Sequence, residues 1–241
     1  MFLIVDCDTL LYSIGSIKNL YDMNVYVKIF DGKIHKIKKE LNATKYLMII
    51  QGNRNFRYKH DVNYKKHRIA DKPLGYNTLK SHVIKNYKHI ISHNIETDDT
   101  CNVIARLCRE LSIDYTIVHI DKDLNQIIGN HYNPTKNEKY YIDNHDSIYN
   151  LCYQLLKGDT TDSKVTGLKG YGHVKATKLL QDVTTENLIS IVFSEYLKVY
   201  DTNEAIHKFY QTYNIIKIID DYPKITKKLE KLIKNDELQK V

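Results

Sequence analysis

Short apolar stretches that end at aspartates are the feature that most constrains the fold of this chain. Residues 2–5 form a branched apolar run that ends at Asp6, and residues 115–120 lead in the same way into Asp121. Segments with helical spacing separate these stretches, and short strands that alternate with helices are typical of a parallel sheet. The sequence therefore predicts an α/β fold with a mostly parallel central sheet.

The predicted elements follow that alternation along the chain. Strands are expected at 2–5, 46–50, 115–120 and 139–142, and helices at 8–20, 76–91, 97–111, 146–157 and 173–181. Residues 24–41 fit either a hairpin at Asp31-Gly32 or a helix, and we favour a helix from about Lys33. Amphipathic helices fill the chain from about Thr184. We expect two parts, an α/β core at 1–150 and a helical region at 151–241.

The composition is that of a folded protein without disulfides or membrane spans. The chain has 241 residues, of which 42% are hydrophobic, so a large core is available. No apolar run approaches the roughly 20 residues of a membrane span, and the N-terminus lacks the basic start of a signal peptide. The four cysteines form no CxxC pair, which argues against a zinc site. We therefore expect a cytoplasmic protein.

The net charge of +7 is unevenly distributed along the chain. Residues 54–93 carry ten basic and two acidic groups, a net charge of +8, whereas residues 94–162 carry six basic and twelve acidic groups, a net charge of −6. Such blocks can be two solvated faces of opposite sign. They can also be a surface for a polyanion beside a metal site, and the positions of the carboxylates decide between these interpretations.

Acidic side chains follow the predicted strands and loops in four groups. The groups are Asp6; Glu96, Asp98 and Asp99; Asp121 and Asp123; and Asp159 and Asp162. Any one group could be a helix cap or a loop. Together they would lie at the carboxyl edge of a parallel sheet and repel one another unless cations neutralised them. Oxygen ligands suit Mg²⁺ or Mn²⁺, and two such ions about 4 Å apart are typical of phosphodiester hydrolysis.

A glycine-rich turn lies between the helices predicted at 146–157 and 173–181. Its glycines are Gly167, Gly170 and Gly172, and Lys175 and Lys178 follow on the next helix. Because a helix precedes the turn, it does not fit a dinucleotide site. A helix–hairpin–helix at 151–181 fits better, in which the turn approaches a phosphate backbone and the helix amides bind it. A purely structural connection is the alternative.

These motifs, taken in order, resemble those of the structure-specific 5′-nucleases, which include bacteriophage flap endonucleases and the 5′-exonuclease domain of bacterial DNA polymerase I. The similar segments are Phe2 to Asp6, Phe56-Arg57, Tyr64-Lys65-Lys66-His67-Arg68, Glu96-Thr97-Asp98-Asp99, Asp121-Lys122-Asp123, Gly158-Asp159-Thr160-Thr161-Asp162, and Gly167 to Ala176. The resemblance implies a three-layer core of the PIN type, a short helical arch in the basic segment 54–93, and a C-terminal helix–hairpin–helix.

The resemblance also implies roles for individual residues. The eight acids would bind two Mg²⁺ or Mn²⁺ ions, and Lys65 and Arg68 would be catalytic at the scissile phosphate. Contacts with nucleic acid would come from Arg57, Tyr64 (by base stacking or, equally, as a packing tyrosine), Lys66, the three turn glycines, Lys175 and Lys178. The hairpin would also hold K⁺.

The chain departs from the family pattern at two places. Ile50-Gln51-Gly52 stands where the family has Phe-Asp-Gly, so one aspartate near the first metal is replaced by an amide that could orient a water. The stretch between Asp162 and Gly167 is one residue longer than usual and has no proline. Because Gln51 replaces an aspartate, we expect weaker coordination at the first metal.

The predicted function is that of a magnesium-dependent 5′-3′ exonuclease or flap endonuclease. Its substrate would be DNA with a 5′ end, flap or nick, or an RNA–DNA hybrid, and it would act as a monomer in replication or repair in a bacterial or phage-infected cell. Two alternatives stay open: a PIN-type ribonuclease, and a non-catalytic protein that binds DNA structures.

Overall fold

The computed structural model describes residues 1–18, 22–65, 71–159 and 165–234, and at 159, 165, 166 and 232–234 it describes the backbone alone. Its strands are β1 (Phe2–Asp6), β2 (Lys45–Asn55), β3 (His89–Asn94), β4 (Tyr115–Val118), β5 (Gly129–Asn133), β6 (Glu138–Ile142), β7 (Gly158–Asp159) and β8 (Val165–Thr166). Its α-helices are α1 (Cys7–Gly15), α2 (Met23–Glu40), α3 (Tyr76–Asn86), α4 (Thr97–Glu110), α5 (Asn144–Lys157), α6 (His173–Leu180), α7 (Leu188–Val199), α8 (Thr202–Ile216) and α9 (Pro223–Lys234).

A six-stranded sheet in the order β3-β2-β1-β4-β5-β6 forms the centre of the fold. Every neighbouring pair is parallel except β5 and β6. The chain adds strands on one side of β1 and then crosses to β4 on its other side. Ligands of such sheets bind at this switch point, beyond the carboxyl ends of the strands. The predicted α/β class and mostly parallel sheet are confirmed.

Helices cover both faces of the sheet and give three layers. Leu3 and Val5 pack in one cluster with residues of α1, α2 and α3. Phe2 and Ile4, which alternate with them along β1, pack in a second cluster with α4 and α9. Because successive side chains of a strand point to opposite faces, a continuous apolar strand can supply both clusters. A third cluster joins α5 to the C-terminal helices α6, α7 and α8.

The structure corrects several predicted elements. Residues 23–40 form one helix, which begins ten residues before Lys33 and runs through Gly32, so the hairpin interpretation is wrong. Asp22 caps this helix by accepting a hydrogen bond from the Asn24 amide. The helix predicted at 8–20 ends at Gly15, and the one predicted at 76–91 ends at Asn86. β3 and β5 were not among the predicted strands, because Ile90 and Ile91 of β3 fitted the helix predicted at 76–91 and β5 is mostly polar.

Most of the segment expected to form a basic arch belongs to the core. β2 extends to Asn55, and Phe56–Lys59 forms a 3₁₀ turn. Leu79 and Val83 of α3 are fully buried against α1 and α2, and β3 pairs with β2. Of the segment in which the arch is predicted, only the stretch between Lys59 and Tyr76 lies outside these core elements, and residues 66–70 of that stretch lie outside the described residues.

The C-terminal part returns to the core at the end of the described chain. Ile225 and Leu229 of α9 are buried in the cluster that contains α4. The connection between α5 and α6 contains the short β7–β8 pair and the glycine turn. Among the described residues, no helix is both long and apolar enough to cross a membrane.

Candidate active site

Asp6 lies at the carboxyl end of the central strand β1 and is completely buried. Neither of its carboxylate oxygens receives a hydrogen bond from the part of the chain that the structure describes. Burial raises the pKa of Asp6 to about 7, and the charges of Asp8 and Asp121 add to this effect, whereas the hydroxyl and backbone amide of the nearby Thr9 oppose it. A buried carboxylate without a donor is costly, and a bound cation would remove that cost.

Further acids lie near Asp6, and two of them, Asp98 and Asp121, line an open cleft of about 970 Å³. Asp98, on the first turn of α4, has a pKa raised well above its ordinary value by burial and by the charges of Asp6, Glu96 and Asp121. Asp121 follows β4 and caps a 3₁₀ turn by accepting a hydrogen bond from the Asp123 amide at 2.9 Å. The cleft thus gathers acids from α4 and from the segment after β4, and the buried Asp6 of β1 lies near enough for its charge to raise the pKa of Asp98.

Lys65 makes an ion pair with Glu96 beside this group of acids. Burial opposes the charge on the Lys65 ammonium, but the nearby Glu96 carboxylate outweighs it and raises the pKa of Lys65. Burial would likewise raise the pKa of Glu96, yet Lys65 and Arg57 lower it. Both groups are therefore charged at neutral pH. The predicted catalytic lysine and one predicted metal ligand lie together at the cleft, which both line.

Tyr64 is a packing residue, which corrects the predicted role in base stacking. Its side chain is 4% exposed, and its hydroxyl donates a hydrogen bond to Glu96 Oε2 at 2.9 Å. A ring in this position cannot stack on a base. Tyr12 and Tyr58 line the cleft instead, with exposed fractions of 41% and 46%.

Arg57 and Asp99 form a buried ion pair, which corrects two further predictions. The Arg57 guanidinium donates to both Asp99 oxygens, at 2.6 and 2.8 Å, and its side chain is 2% exposed. Asp99 also accepts hydrogen bonds from the Ile219 and Glu96 amides. Asp99 is therefore not available as a metal ligand, and Arg57 is not available to nucleic acid. A buried arginine with a bidentate partner stabilises the fold only as long as the pair stays intact.

A small cavity of about 40 Å³ lies on the other side of Glu96 and Asp98. Asp123 lines it, and Gln154 of α5 donates a hydrogen bond to Asp123 Oδ1 at 2.6 Å. Such a volume accommodates a water molecule or a small ion. Lys65, Glu96 and Asp98 line both the cavity and the cleft, whereas Asp121 lines only the cleft and Asp123 only the cavity.

Gln51, where the family has an aspartate, uses its side chain to hold the backbone before α4. Its Nε2 donates to the Ile95 carbonyl at 3.3 Å, and its Oε1 accepts from the Thr97 amide at 3.2 Å. The expectation that this amide orients a water at the metal is therefore not supported by its hydrogen bonds. Asp8, which was not among the predicted site residues, accepts a hydrogen bond from the backbone amide of Gln51.

Two buried histidines support the loop that carries Asp121. His119 Nδ1 lies 2.5 Å from the Asp121 carbonyl oxygen, and His119 Nε2 lies 2.8 Å from Nδ1 of His131. Burial lowers the pKa of His119 to about 4 and that of His131 to about 3. The sequence did not indicate this pair, because His131 lies on β5, a strand that was not predicted.

The hairpin glycines have different environments. A Cβ on Gly167 would lie 2.2 Å from the Leu156 carbonyl oxygen, so this glycine allows close packing against α5 and does not face a ligand, contrary to prediction. Gly170 has a φ of +87°, and both it and Gly172 face open space. Lys175 and Lys178 lie on α6, and the Lys175 ammonium lies 3.7 Å from the Tyr171 ring centroid.

Several predicted site residues fall outside the described residues. Lys66, Arg68 and Asp162 are not described, and only the backbone of Asp159 is. Within the described part of the chain, no three histidine, cysteine or acidic side chains are grouped closely enough to enclose a metal ion by themselves. The buried, unpartnered Asp6 carboxylate and the oxygen-only ligands around it nevertheless fit a hard divalent cation.

Comparison with known proteins shows what the fold is similar to. No protein-family model matches the sequence, and no curated protein sequence matches it. Among solved structures, a zinc-bound 5′-exonuclease of bacteriophage T5 superposes with a TM-score of 0.76 and 16% identity over 99% of both chains. The T5 D15 flap endonuclease in a pseudo-enzyme–product complex with DNA and metal ions gives a TM-score of 0.67 and 14% identity, over 98% of this chain and 94% of that one.

A more distant likeness extends to a protein with a longer chain. The catalytic core of Rad2, in complex with DNA substrate, gives a TM-score of 0.52 and 15% identity, over 98% of this chain and 73% of that one. At these identities the likeness shows the fold alone, which this chain shares with the T5 5′-exonuclease, the T5 flap endonuclease and the catalytic core of Rad2.

Proposed function

We propose that this chain, which has the fold of structure-specific 5′-nucleases, hydrolyses phosphodiester bonds near 5′ ends, flaps or nicks of DNA with the help of divalent metal ions. The observation that carries the proposal is the buried Asp6 carboxylate, whose oxygens have no hydrogen-bond partner among the described residues, beside a cleft that Asp98, Asp121 and Lys65 line. The similar structures support it, because the T5 5′-exonuclease binds zinc, the T5 flap endonuclease was solved with DNA and metal ions, and the Rad2 core was solved with DNA substrate.

The described residues divide into binding and catalytic roles. Two Mg²⁺ or Mn²⁺ ions would activate water and stabilise the leaving oxygen. Asp6, Glu96 and Asp98 would hold one ion, and Asp121 and Asp123, with Asp159 and Asp162 outside the described side chains, would hold the other. The Lys65 ammonium, charged beside Glu96, would bind the scissile phosphate and offset the charge that develops there.

Substrate contacts would come from the cleft and from the helical region. Arg54, Lys65 and Lys72 line the cleft, and exposed Tyr12 and Tyr58 offer rings on which bases could stack. The helix–hairpin–helix would bind duplex backbone through Gly170, Gly172, Lys175 and Lys178, and would be the site of any K⁺. We propose that the protein acts as a monomer, with catalysis in the α/β core and duplex binding in the region from residue 151.

A cleavage assay with matched variants tests this function. The substrates are a 5′-labelled flap, a nicked duplex, an RNA–DNA hybrid and a single-stranded RNA, each with Mg²⁺ and with EDTA. We expect Mg²⁺-dependent cleavage near the 5′ end. Asp121→Ala should reduce the cleavage rate at least 100-fold without loss of DNA binding, because Asp121 would hold a metal ion and is not one of the proposed DNA contacts. The matched control is Asp114→Ala, an exposed aspartate before the same strand.

Each outcome of that assay distinguishes one function. Cleavage of RNA alone would favour a PIN-type ribonuclease. DNA binding without cleavage in any condition would favour a non-catalytic protein. Equal Mg²⁺-dependent rates for wild type and Asp121→Ala would contradict the assignment of the site.

A further inference from the structure

Asp8 is an acid of the cleft that the proposed mechanism does not use. It lies on the first turn of α1, two residues after Asp6, and lines the cleft together with Asp98 and Asp121. Its charge acts on the Asp6 carboxylate, as does that of Asp121. Asp8 therefore belongs electrostatically to the acidic group around Asp6, although it lies on α1, an element that contributes no other acid to the group.

Two hydrogen bonds hold Asp8 in place, and both go to the same oxygen. The Tyr76 hydroxyl donates to Asp8 Oδ1 at 2.7 Å, and the backbone amide of Gln51 donates to the same oxygen at 3.3 Å. Within the described residues, no hydrogen bond to Oδ2 is present. The carboxylate is thus fixed by one oxygen and presents the other to the cleft.

The part of β2 beside Asp8 carries no acidic side chain. Gln51 lies there, and both ends of its side-chain amide are bonded to the backbone at Ile95 and Thr97. Lys80 donates to the Gln51 backbone carbonyl at 2.6 Å, which adds a positive charge near this point. A divalent ion bound by Asp6 would receive no negative charge from β2, whereas Asp8 is the carboxylate in contact with Gln51 of that strand.

We propose that Asp8 supplies this missing negative charge, as a positioning carboxylate for the divalent ion that Asp6 would bind. The inference rests on the proposed metal-dependent function and deepens it. Besides the proximity of the acids to one another, the complete burial of the Asp6 carboxylate, whose oxygens have no hydrogen-bond partner among the described residues, points to a bound cation. Mg²⁺ and Mn²⁺ retain several waters when bound by few carboxylates, and a fixed neighbouring carboxylate orients them. Tyr76 and the Gln51 amide keep Asp8 in that position.

The test measures Mn²⁺ binding by electron paramagnetic resonance of the free ion, without DNA and without activity. Asp8→Asn keeps an oxygen that can accept from Tyr76 and Gln51 and removes only the charge. We expect its Mn²⁺ affinity to fall about 10-fold, within the range typical of outer ligands. The matched control is Asp146→Asn, an exposed aspartate in the first turn of α5, whose affinity should equal that of wild type.

A rescue variant separates charge from structure. Asp8→Asn combined with Gln51→Asp places a carboxylate on β2 instead of on α1 and should recover most of the lost Mn²⁺ affinity. If Asp8→Asn does not fold, as judged by circular dichroism, Asp8→Ser replaces it, with the same expected loss.

The outcomes distinguish this inference from the function on which it rests. Equal Mn²⁺ affinity in wild type and Asp8→Asn, with Mn²⁺ binding abolished by Asp6→Asn, would overturn the role of Asp8 and leave the metal-dependent function standing. Absence of Mn²⁺ binding in the wild-type protein would overturn both.

Discussion

Asp98 and Asp99 are adjacent acids on the first turn of α4, but one lines the cleft and the other is part of a buried ion pair. Asp99 is bound by both terminal nitrogens of Arg57 and by two backbone amides. Asp98 faces the cleft with other acids, which together with burial raise its pKa. Helix geometry explains the difference, because successive residues are rotated by about 100° and point to different sides.

This contrast predicts a difference between two otherwise identical substitutions. Asp99→Asn should lower the free energy of unfolding by about 3 kcal/mol, because it leaves the buried Arg57 charge without its partner. Asp98→Asn should leave that free energy unchanged or raise it, because it removes a charge that other acids repel. Urea denaturation in EDTA measures both. Equal effects of the two substitutions would contradict the assignment.

The buried Asp6 carboxylate predicts a pH-dependent cost to stability. Its pKa is raised from 3.8 to about 7 on folding, so its contribution favours the folded state below pH 3.8 and is lost as the pH rises to 7. A shift of about three pKa units corresponds to about 4 kcal/mol as an upper bound. Asp6→Asn should therefore stabilise the metal-free protein by a few kcal/mol at pH 8, and the gain should disappear towards pH 4.

Urea denaturation of wild type and Asp6→Asn in EDTA at pH 4, 6 and 8 gives the measurement. Addition of Mg²⁺ at pH 8 should stabilise wild type more than the variant, because an ion that binds only the folded state adds to its stability. A variant less stable than wild type at pH 8 in EDTA would show that Asp6 is not an uncompensated charge.

At the level of elements, side chains from the core hold the connector 215–220, which runs from the end of α8 towards α9. Arg57 donates to the carbonyls of residues 215 and 217, Gln126 bonds to the backbone of residues 216 and 218, and Asp99 accepts from the amide of residue 219. Asn102 and Arg106 donate to residues 218 and 220. The connector therefore contacts the back of the acidic site through Arg57 and Asp99.

Gln126 offers a test of this connection. Gln126→Leu would leave buried backbone groups of Ile216 and Ile218 without partners, at a cost of about 1–3 kcal/mol for each group. We expect faster hydrogen exchange at the Ile218 amide and a free energy of unfolding lower by about 2 kcal/mol. Gln181→Leu, at an exposed glutamine, is the control and should change neither. Unchanged exchange at residue 218 would contradict the role of Gln126.

For the whole molecule, the charge distribution favours a polyanion at one edge of the sheet. The segment 54–93 has a net charge of +8, but one of its cations, Arg57, is buried in an ion pair. Arg54, Lys65 and Lys72 line the cleft, whose floor is acidic. Divalent ions at that floor would reverse its sign, so a cationic surface would surround the site only when metal is present.

This distribution predicts DNA binding that weakens steeply with salt. With six to ten phosphate contacts, the dissociation constant should rise by a factor of about 1,000 or more between 50 and 200 mM NaCl. Fluorescence anisotropy of a labelled flap with the Asp121→Ala protein and Mg²⁺ measures this without turnover. Replacing Lys175 and Lys178 by alanine should lower the slope of log K against log[salt] by about two.

The matched control for that measurement replaces two exposed lysines of α2, Lys36 and Lys39, by alanine. They lie near the helix end that leads to the start of β2, at the edge of the sheet opposite the cleft. The slope of log K against log[salt] for this double variant should equal that of the protein with both lysines in place. A salt dependence of less than threefold for the wild-type surface would contradict binding through phosphates.

The sequence by itself determined the fold class and which elements carry acids to the site. Alternating apolar strands and amphipathic helices are local patterns, and a parallel sheet brings its strand ends to one edge whatever the loops do. Asp6 and Asp121 could therefore be assigned to that edge without a structure. The polar strands β3 and β5 could not be found in this way, because they pair with neighbours that compensate for their weak strand propensity.

Only the tertiary structure decided which members of similar residues reach the cleft. Arg57 is buried by a connector about 160 positions further along the chain, Asp99 is taken by that arginine, and Tyr64 is covered while Tyr12 and Tyr58 stay exposed. Asp8 gained its place from Tyr76, 68 positions away. Burial and hydrogen-bond partners depend on such distant contacts, and a local pattern of residue types does not contain them.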